Sequence, residues 1–329
     1  MLASIVIPAR SWDGHLIATL ASIAAQVLPD GLTVETVVGL ADEAPTACPD
    51  GVRVVHNPNG TIPDALNLAI SESRGEVILR VDARCVLPPD YVTRVVDRLA
   101  DPSVGSVGGA ALVMDRGVFG SAYAVAFNSP LLGPSAYRYR RTSGPVDTSY
   151  LGSWRAEVLR DLGGYDPRLV RNQDNELADR VRASGRTVLY DADLVVGYVN
   201  GRPFRSAVQH HHEFGMWRMY QSSQGQKGLS AKHLAALGLG LFGVSAVVAG
   251  LKNRRTRRAA LAAGVAGYVA AGAVAFRTAS RLRSVRGDLD LAPFHPAGVA
   301  AAPAVAAVID AAWAAGLVRG AVAARRRSQ

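Results

Sequence analysis

VILRVDAR, residues Val77 to Arg84, is the stretch on which the reading of this chain turns. Val77–Val81 is a short apolar run rich in branched side chains, which predicts a buried strand. It ends at a carboxylate, Asp82. Working back from it, Ile62, Leu66 and Ile70 recur at helical spacing behind the turn cluster Asn57-Pro58-Asn59-Gly60. Thr61 and Asp64 fit a capping box, and Pro63 is tolerated in a first turn. Earlier still, Val52–Val55 and Thr33–Gly39 read as strands. Leu16, Ile17, Leu20 and Ile23 read as one helix face, and Ser4–Ile7 as a strand stopped by Pro8. This alternation predicts an α/β fold with a doubly wound, mostly parallel sheet. Ligands of such sheets bind beyond the carboxyl ends of the strands. Pro8–Arg10, the segment after Gly39, and Asp82 all fall at such ends.

Downstream the pattern blurs. Gly105–Trp154 is rich in Gly, Tyr and Ser and has no clear period. Asn172 is expected to cap a helix that carries Leu177 and Val181 on one side and stops at Gly185. Thr187–Tyr190 reads as a further strand. Near Gly228–His233 the composition shifts to Ala, Gly, Val and Leu, which places a boundary between residues 1–228 and 229–329. Three apolar segments follow, at 234–251, 259–276 and 296–318. Each approaches the ~20 residues that cross a bilayer, and their small residues suit close helix packing. Asp310 lies inside the third and is expected to face a helix or the interface.

Charge supports a membrane location. The 329-residue chain has a net charge of +9. Lys252, Arg254, Arg255, Arg257 and Arg258 stand between two apolar segments, and Arg325–Arg327 close the chain, as expected for contacts with anionic headgroups. Aromatic interleaving for single-stranded nucleic acid is missing, so no nucleic-acid partner is expected. Cys48 and Cys85 fit neither a metal spacing nor a disulfide framework. The N-terminal apolar stretch is too short for a signal peptide, so a cytosolic first domain on a multi-pass cell-membrane anchor is expected. Three full spans would place the basic 252–258 loop outside, against the positive-inside rule.

A carboxylate at a strand end can hold Mg²⁺ or Mn²⁺ through oxygen, and Asp82 suits that task. Its surroundings resemble those of the family 2 glycosyltransferases. The matching pieces occur in order: Ser4–Arg10, Asp64-Ala65-Leu66-Asn67, Val81–Arg84, Asp147–Arg155, Gly163-Gly164-Tyr165-Asp166 and Arg171–Arg180, with Gln209–Arg218 before the apolar tail. The layout is similar to that of the membrane-anchored glycosyltransferases of succinoglycan and exopolysaccharide biosynthesis.

The resemblance implies a GT-A-like nucleotide-sugar-binding fold. It implies a divalent metal on Asp82, a catalytic base at Asp174, and donor contacts from Pro8, Ala9, Arg10, Asn67, Trp217 and Arg218. The usual acidic position after the second strand holds Leu40, so Asp42 is taken in its place. Arg84 stands where the family has a second metal ligand; a guanidinium cannot ligate, though it can pair with phosphate. Gln173 replaces an acidic neighbour of the base. His210, His211 and His212 point in different directions along a helix, so a solvated or interfacial face is expected rather than a metal site.

The expected activity is inverting, non-processive transfer of a hexose from a UDP-linked donor to a lipid-linked saccharide or other membrane-presented glycan. A nucleotidyltransferase would want a Gly-rich phosphate loop after the first strand, and Pro8-Ala9-Arg10-Ser11 has none. The alternative is a non-catalytic membrane scaffold or degenerate subunit that binds a nucleotide or glycan; Arg84 and Leu40 favour it.

Overall fold

Each apolar run upstream of Asp82 forms the element its period predicts. The computed structural model describes residues 1–113, 115–132, 142–169, 172–223, 254–283, 285 and 293–327. In chain order these give β1 (Leu2–Ala9), α1 (Gly14–Ala24), β2 (Thr33–Leu40), β3 (Val52–His56), α2 (Ile62–Ser71), β4 (Val77–Arg80), β5 (Cys85–Val86) and α3 (Tyr91–Leu99). There follow β6 (Val104–Val113), α4 (Gly117–Phe127), β7 (Gly144–Pro145), β8 (Tyr150–Arg155), α5 (Ala156–Asp161), α6 (Gln173–Ala183) and β9 (Thr187–Tyr198). The chain closes with α7 (Phe204–Ser223), α8 (Arg254–Arg281) and α9 (Pro296–Arg327).

The described chain divides into two units. The first, residues 1–112 with 136–199, holds the sheet, in the order β3-β2-β1-β4-β8-β6-β9-β5 with β7 beside β9. Successive residues of β1 point to opposite faces. Ala3, Ile5 and Ile7 pack with Leu16, Leu20 and Ile23 of α1 and with Tyr91, Val92 and Val95 of α3. Val6 packs on the other face with Leu66 of α2, Val158 of α5 and Leu177 of α6. Helices therefore cover both faces, as a doubly wound sheet requires.

The sheet is mixed rather than mostly parallel. Only β3, β2, β1 and β4 run parallel to their neighbours. The pairs β4–β8, β6–β8, β5–β9 and β7–β9 are antiparallel. Antiparallel partners need no crossover helix between them, so the order of strands and helices along the chain is no guide to their pairing. Every residue of β6 is buried, which erases the alternation by which a strand is recognised.

Local details also differ from expectation. Ile17 is 54% exposed and Ile62 is 38% exposed; Leu16 and Thr19, and Ala65 and Leu66, take the core positions instead. Thr61 caps α2 in a variant of the capping box, with the Asp64 N–H donating to Thr61 Oγ1 at 3.3 Å and the Thr61 hydroxyl donating to Asp64 Oδ2 at 2.7 Å. Asn172 precedes α6 in the left-handed conformation but makes no side-chain cap.

The second unit comprises residues 113–135 and 200–329. The chain enters it at Asn200, ahead of the composition break near 228, so α7 belongs with the apolar helices. Glycines let α7 and α9 meet backbone to backbone. A Cβ at Gly316 would collide with the His212 carbonyl, and one at Gly320 would lie 2.8 Å from Met219 Cβ and 2.9 Å from the Met216 carbonyl oxygen. Gly316 and Gly320 are four apart, the small-xxx-small spacing by which apolar helices approach closely. Arg257–Arg281 and Pro296–Ala324 are long and apolar enough to cross a membrane. The first of the three segments read from the sequence, 234–251, lies outside the described residues.

Candidate active site

The carboxyl edge of the parallel strands gathers four of the predicted binding residues. Register pairs Pro8 with Gly39 and Ala9 with Leu40. Beyond the strands, Ala41 N–H donates to the Ala9 carbonyl at 3.1 Å and Asp42 N–H to the Arg10 carbonyl at 2.9 Å. Pro8, Ala9, Arg10 and Asp42 thus form one knitted rim. Leu40 is fully buried, whereas Asp42 is exposed. On the other side of β1, Val6 stands level with Arg80 of β4, so β4 delivers Asp82 to the same edge.

Asp82 does not stand alone there. Arg80, with only 10% of its side chain exposed, donates from Nε and Nη2 to Asp82 Oδ1, each at 3.0 Å. Its guanidinium lies 6.0 Å from the centroid of the Tyr165 ring, in cation–π range. Burial opposes the charge on Arg80, but Asp82, Tyr165 and Asp174 together outweigh it and hold the guanidinium protonated more firmly than usual. Arg80 is thus a buried cation paired directly with Asp82, and the charge of Asp174 also favours its protonated form. The sequence reading passed over it, although a charged residue inside an otherwise apolar strand was the visible signal.

Asp174 sits in the first turn of α6, where the helix dipole favours a carboxylate. Its Oδ1 accepts from the Asn175 N–H at 2.9 Å. Burial pushes its pKa above the ordinary aspartate value; Arg80 and the Asn175 N–H oppose that rise, and the charge of Asp82 adds to it. A carboxylate tuned upward by burial beside a cation can accept a proton.

Asn67 has a different task from the predicted ligand contact. Its Nδ2 donates to the Tyr165 carbonyl at 2.8 Å, and its Oδ1 accepts from the Tyr165 N–H at 2.9 Å. Both ends of the amide clamp the Gly163–Asp166 turn to α2. Gly164 has φ +69°, and a Cβ there would sit 2.8 Å from Asn67 Oδ1, so the turn requires glycine twice over. Arg180 of α6 holds the same turn, through the Leu162 carbonyl and through the Gly164 carbonyl at 2.7 Å. Tyr165, 1% exposed and stacked edge-on against Trp154, is thereby fixed beside Arg80. Burial pushes its phenol up to about 12, so it stays neutral.

Among the described residues no group of three His, Cys, Asp or Glu side chains could hold a metal. Asp82 offers one hard oxygen donor. Magnesium-type ions commonly take one or two carboxylates and complete their shell with substrate phosphates, so Asp82 fits a metal that arrives with a diphosphate. Arg84 adds no ligand; its carbonyl accepts from the Val199 N–H at 2.9 Å, which ties it to the end of β9.

Trp217 and Arg218 lie on α7 in the second unit, with Trp217 edge-on to Tyr220 at 5.4 Å. Of the three histidines, expected on a solvated or interfacial face, two have side-chain partners: His211 shares a 3.0 Å hydrogen bond with Tyr123, and His210 lies 3.2 Å from Arg202 and edge-on to Phe214. Burial and the nearby Arg202 hold His211 down at about 4.

Residues 4–163 match the family model described as glycosyl transferase family 2. No curated protein matches the sequence. Among solved structures, the fold is similar to a mannosyltransferase from Pyrobaculum calidifontis in complex with GDP-Man and Mn²⁺. That similarity has a TM-score of 0.53 at 18% identity and covers 97% of this chain and 86% of that one. Residues 1–349 of TarS from S. aureus, in complex with UDP, align with a TM-score of 0.47 at 15% identity, covering 60% of each chain. GalNAc-T7 with UDP, GalNAc and Mn²⁺ aligns with a TM-score of 0.47 at 15% identity, covering 60% of this chain and 44% of that one. This chain therefore spans less than two thirds of the length of those last two proteins.

Proposed function

We propose that this chain, whose residues 4–163 match the family 2 glycosyl transferase model, is a glycosyltransferase that transfers a hexose, with inversion and one sugar at a time, from a UDP-linked donor to a membrane-presented acceptor. One observation supports the reading: Asp82 at the carboxyl edge of the sheet pairs with the buried Arg80, Arg80 lies over Tyr165, and the turn carrying Tyr165 is clamped to α6, the helix whose first turn holds Asp174.

In the proposed reaction the Pro8–Arg10 rim and Asp42 receive the nucleoside, and the diphosphate lies toward Asp82. A divalent ion held by Asp82 and the phosphates would neutralise the charge of the leaving diphosphate. Asp174 accepts the proton of the acceptor hydroxyl. The hydroxyl oxygen bonds to the anomeric carbon from the face opposite the diphosphate, and the bond from that carbon to the diphosphate oxygen breaks. A lipid-linked saccharide, such as those of exopolysaccharide assembly, is the acceptor that two helices of membrane-crossing length would serve.

A screen of UDP- and GDP-sugars on membrane fractions, with and without Mn²⁺, tests this. The expected outcome is transfer from a UDP-hexose, stimulated by the metal. Asp174→Asn should lower kcat by about 10³-fold and leave UDP affinity within about twofold. No transfer from any donor refutes the reading.

A further inference from the structure

We propose that Arg80 is a positioning residue that acts as an internal counter-cation, holding the metal-side carboxylate Asp82 and the base Asp174 in one arrangement. The inference rests on the glycosyltransferase reading.

A buried guanidinium needs a reason to be there. Arg80 lies in the β4 run Val77–Arg80, whose four residues are all buried, and its relative exposure is 8%. An apolar residue would fill that strand position without desolvating a charge, and a buried ion pair is weak support for stability. Yet the surroundings are built to keep Arg80 in place. Nε and Nη2 both donate to the single oxygen Oδ1 of Asp82, a fork that only a guanidinium provides. The Tyr165 ring lies against its plane. The turn carrying Tyr165 is itself clamped by Asn67 from α2 and by Arg180 from α6. Asp174 stands in the first turn of that same α6. A chain of contacts thus runs from α2 through Tyr165 to Arg80, and from Arg80 to Asp82.

Two consequences separate this task from simple support of the fold. Arg80 places a fixed positive charge on one oxygen of Asp82, so it must weaken the hold of Asp82 on a second cation. Through Tyr165 and the turn that Arg180 clamps to α6, Arg80 also supports the helix whose first turn carries Asp174, so its loss is expected to matter only while Asp174 is a carboxylate.

The full-length protein in detergent, as wild type, Arg80→Met, Arg80→Lys, Asp174→Asn and the Arg80→Met/Asp174→Asn double variant, tests both. Single-turnover transfer is measured beside Mn²⁺ binding in the presence of UDP, followed by the spin-resonance signal of the free ion. Arg80→Met is expected to lower kcat about 100-fold while donor KM moves by less than about threefold. Arg80→Lys should recover about tenfold of that loss. In the Asp174→Asn background the same Met substitution should cost less than about threefold, because residues that act as a unit are not additive. Arg80→Met should bind Mn²⁺ about fivefold more tightly than wild type. Additive losses across the cycle, or Mn²⁺ affinity that is unchanged or weaker, overturn the inference. If Arg80→Met does not fold, Arg80→Lys with Asp174→Asn supplies the cycle, under the same additivity criterion. Absence of transfer by the wild type would instead defeat the glycosyltransferase reading, and this inference with it.

Discussion

Asp174 stands where burial and a neighbouring guanidinium oppose each other, and burial prevails. The acid limb of kcat/KM is therefore expected to have its midpoint above 3.8, the ordinary aspartate value, and to vanish from the residual activity of Asp174→Asn. The same shift bears on stability. A carboxyl whose native pKa exceeds its unfolded one favours the fold while protonated, and that contribution is lost as pH rises through the native value. At neutral pH, Asp174→Asn should melt no lower than wild type, and a calorimetric scan checks this. His211 shifts the other way. Its native value of about 4 lies below the unfolded 6.5, so stability is complete above pH 6.5 and falls between 6.5 and 4. His211→Gln should flatten that window of the stability–pH curve. Asp82 and Asp174 are the carboxylates the sequence singles out, one from its strand end and one through the family resemblance. Arg80 is not singled out, because apolar periodicity reads a strand by what surrounds a charge.

Elements in this chain are joined by clamps that composition does not advertise. The Asn67 amide, read as a ligand group, instead satisfies both backbone groups of Tyr165. Asn67→Ala should cost about 1–3 kcal/mol of stability, since a buried N–H and C=O lose their partners, and urea denaturation would show it. Gly164→Ala should cost at least as much, from positive φ and from the contact with Asn67 together. The parallel half of the sheet was readable because short apolar runs of strand length alternate with the helical spacing of α1 and α2. The antiparallel half was not, because β6 is buried along its whole length and β7 is two residues long.

For the whole molecule, the four parallel strands and two helices of membrane-crossing length were within reach of sequence reading. The hand-over at Asn200 was not: α7 mixes His, Arg, Met and Trp, and only its packing on α9 assigns it to the second unit. Leu261, Val265, Val269 and Phe276 of α8 are each more than 60% exposed, so the protein should resist alkaline carbonate extraction from membranes and yield to detergent. Leu261→Glu with Val269→Glu should release a measurable fraction, because each charge near a bilayer centre costs about 2.5–3.5 kcal/mol. The glycine seam between α7 and α9 has a mechanical consequence. Where backbones touch, no layer of bendable side chains remains to absorb a displacement. Whatever medium grips the long closing helix therefore also sets the tilt of the rod that bears Trp217 and Arg218, and one added methyl at Gly316 would pry the two rods apart.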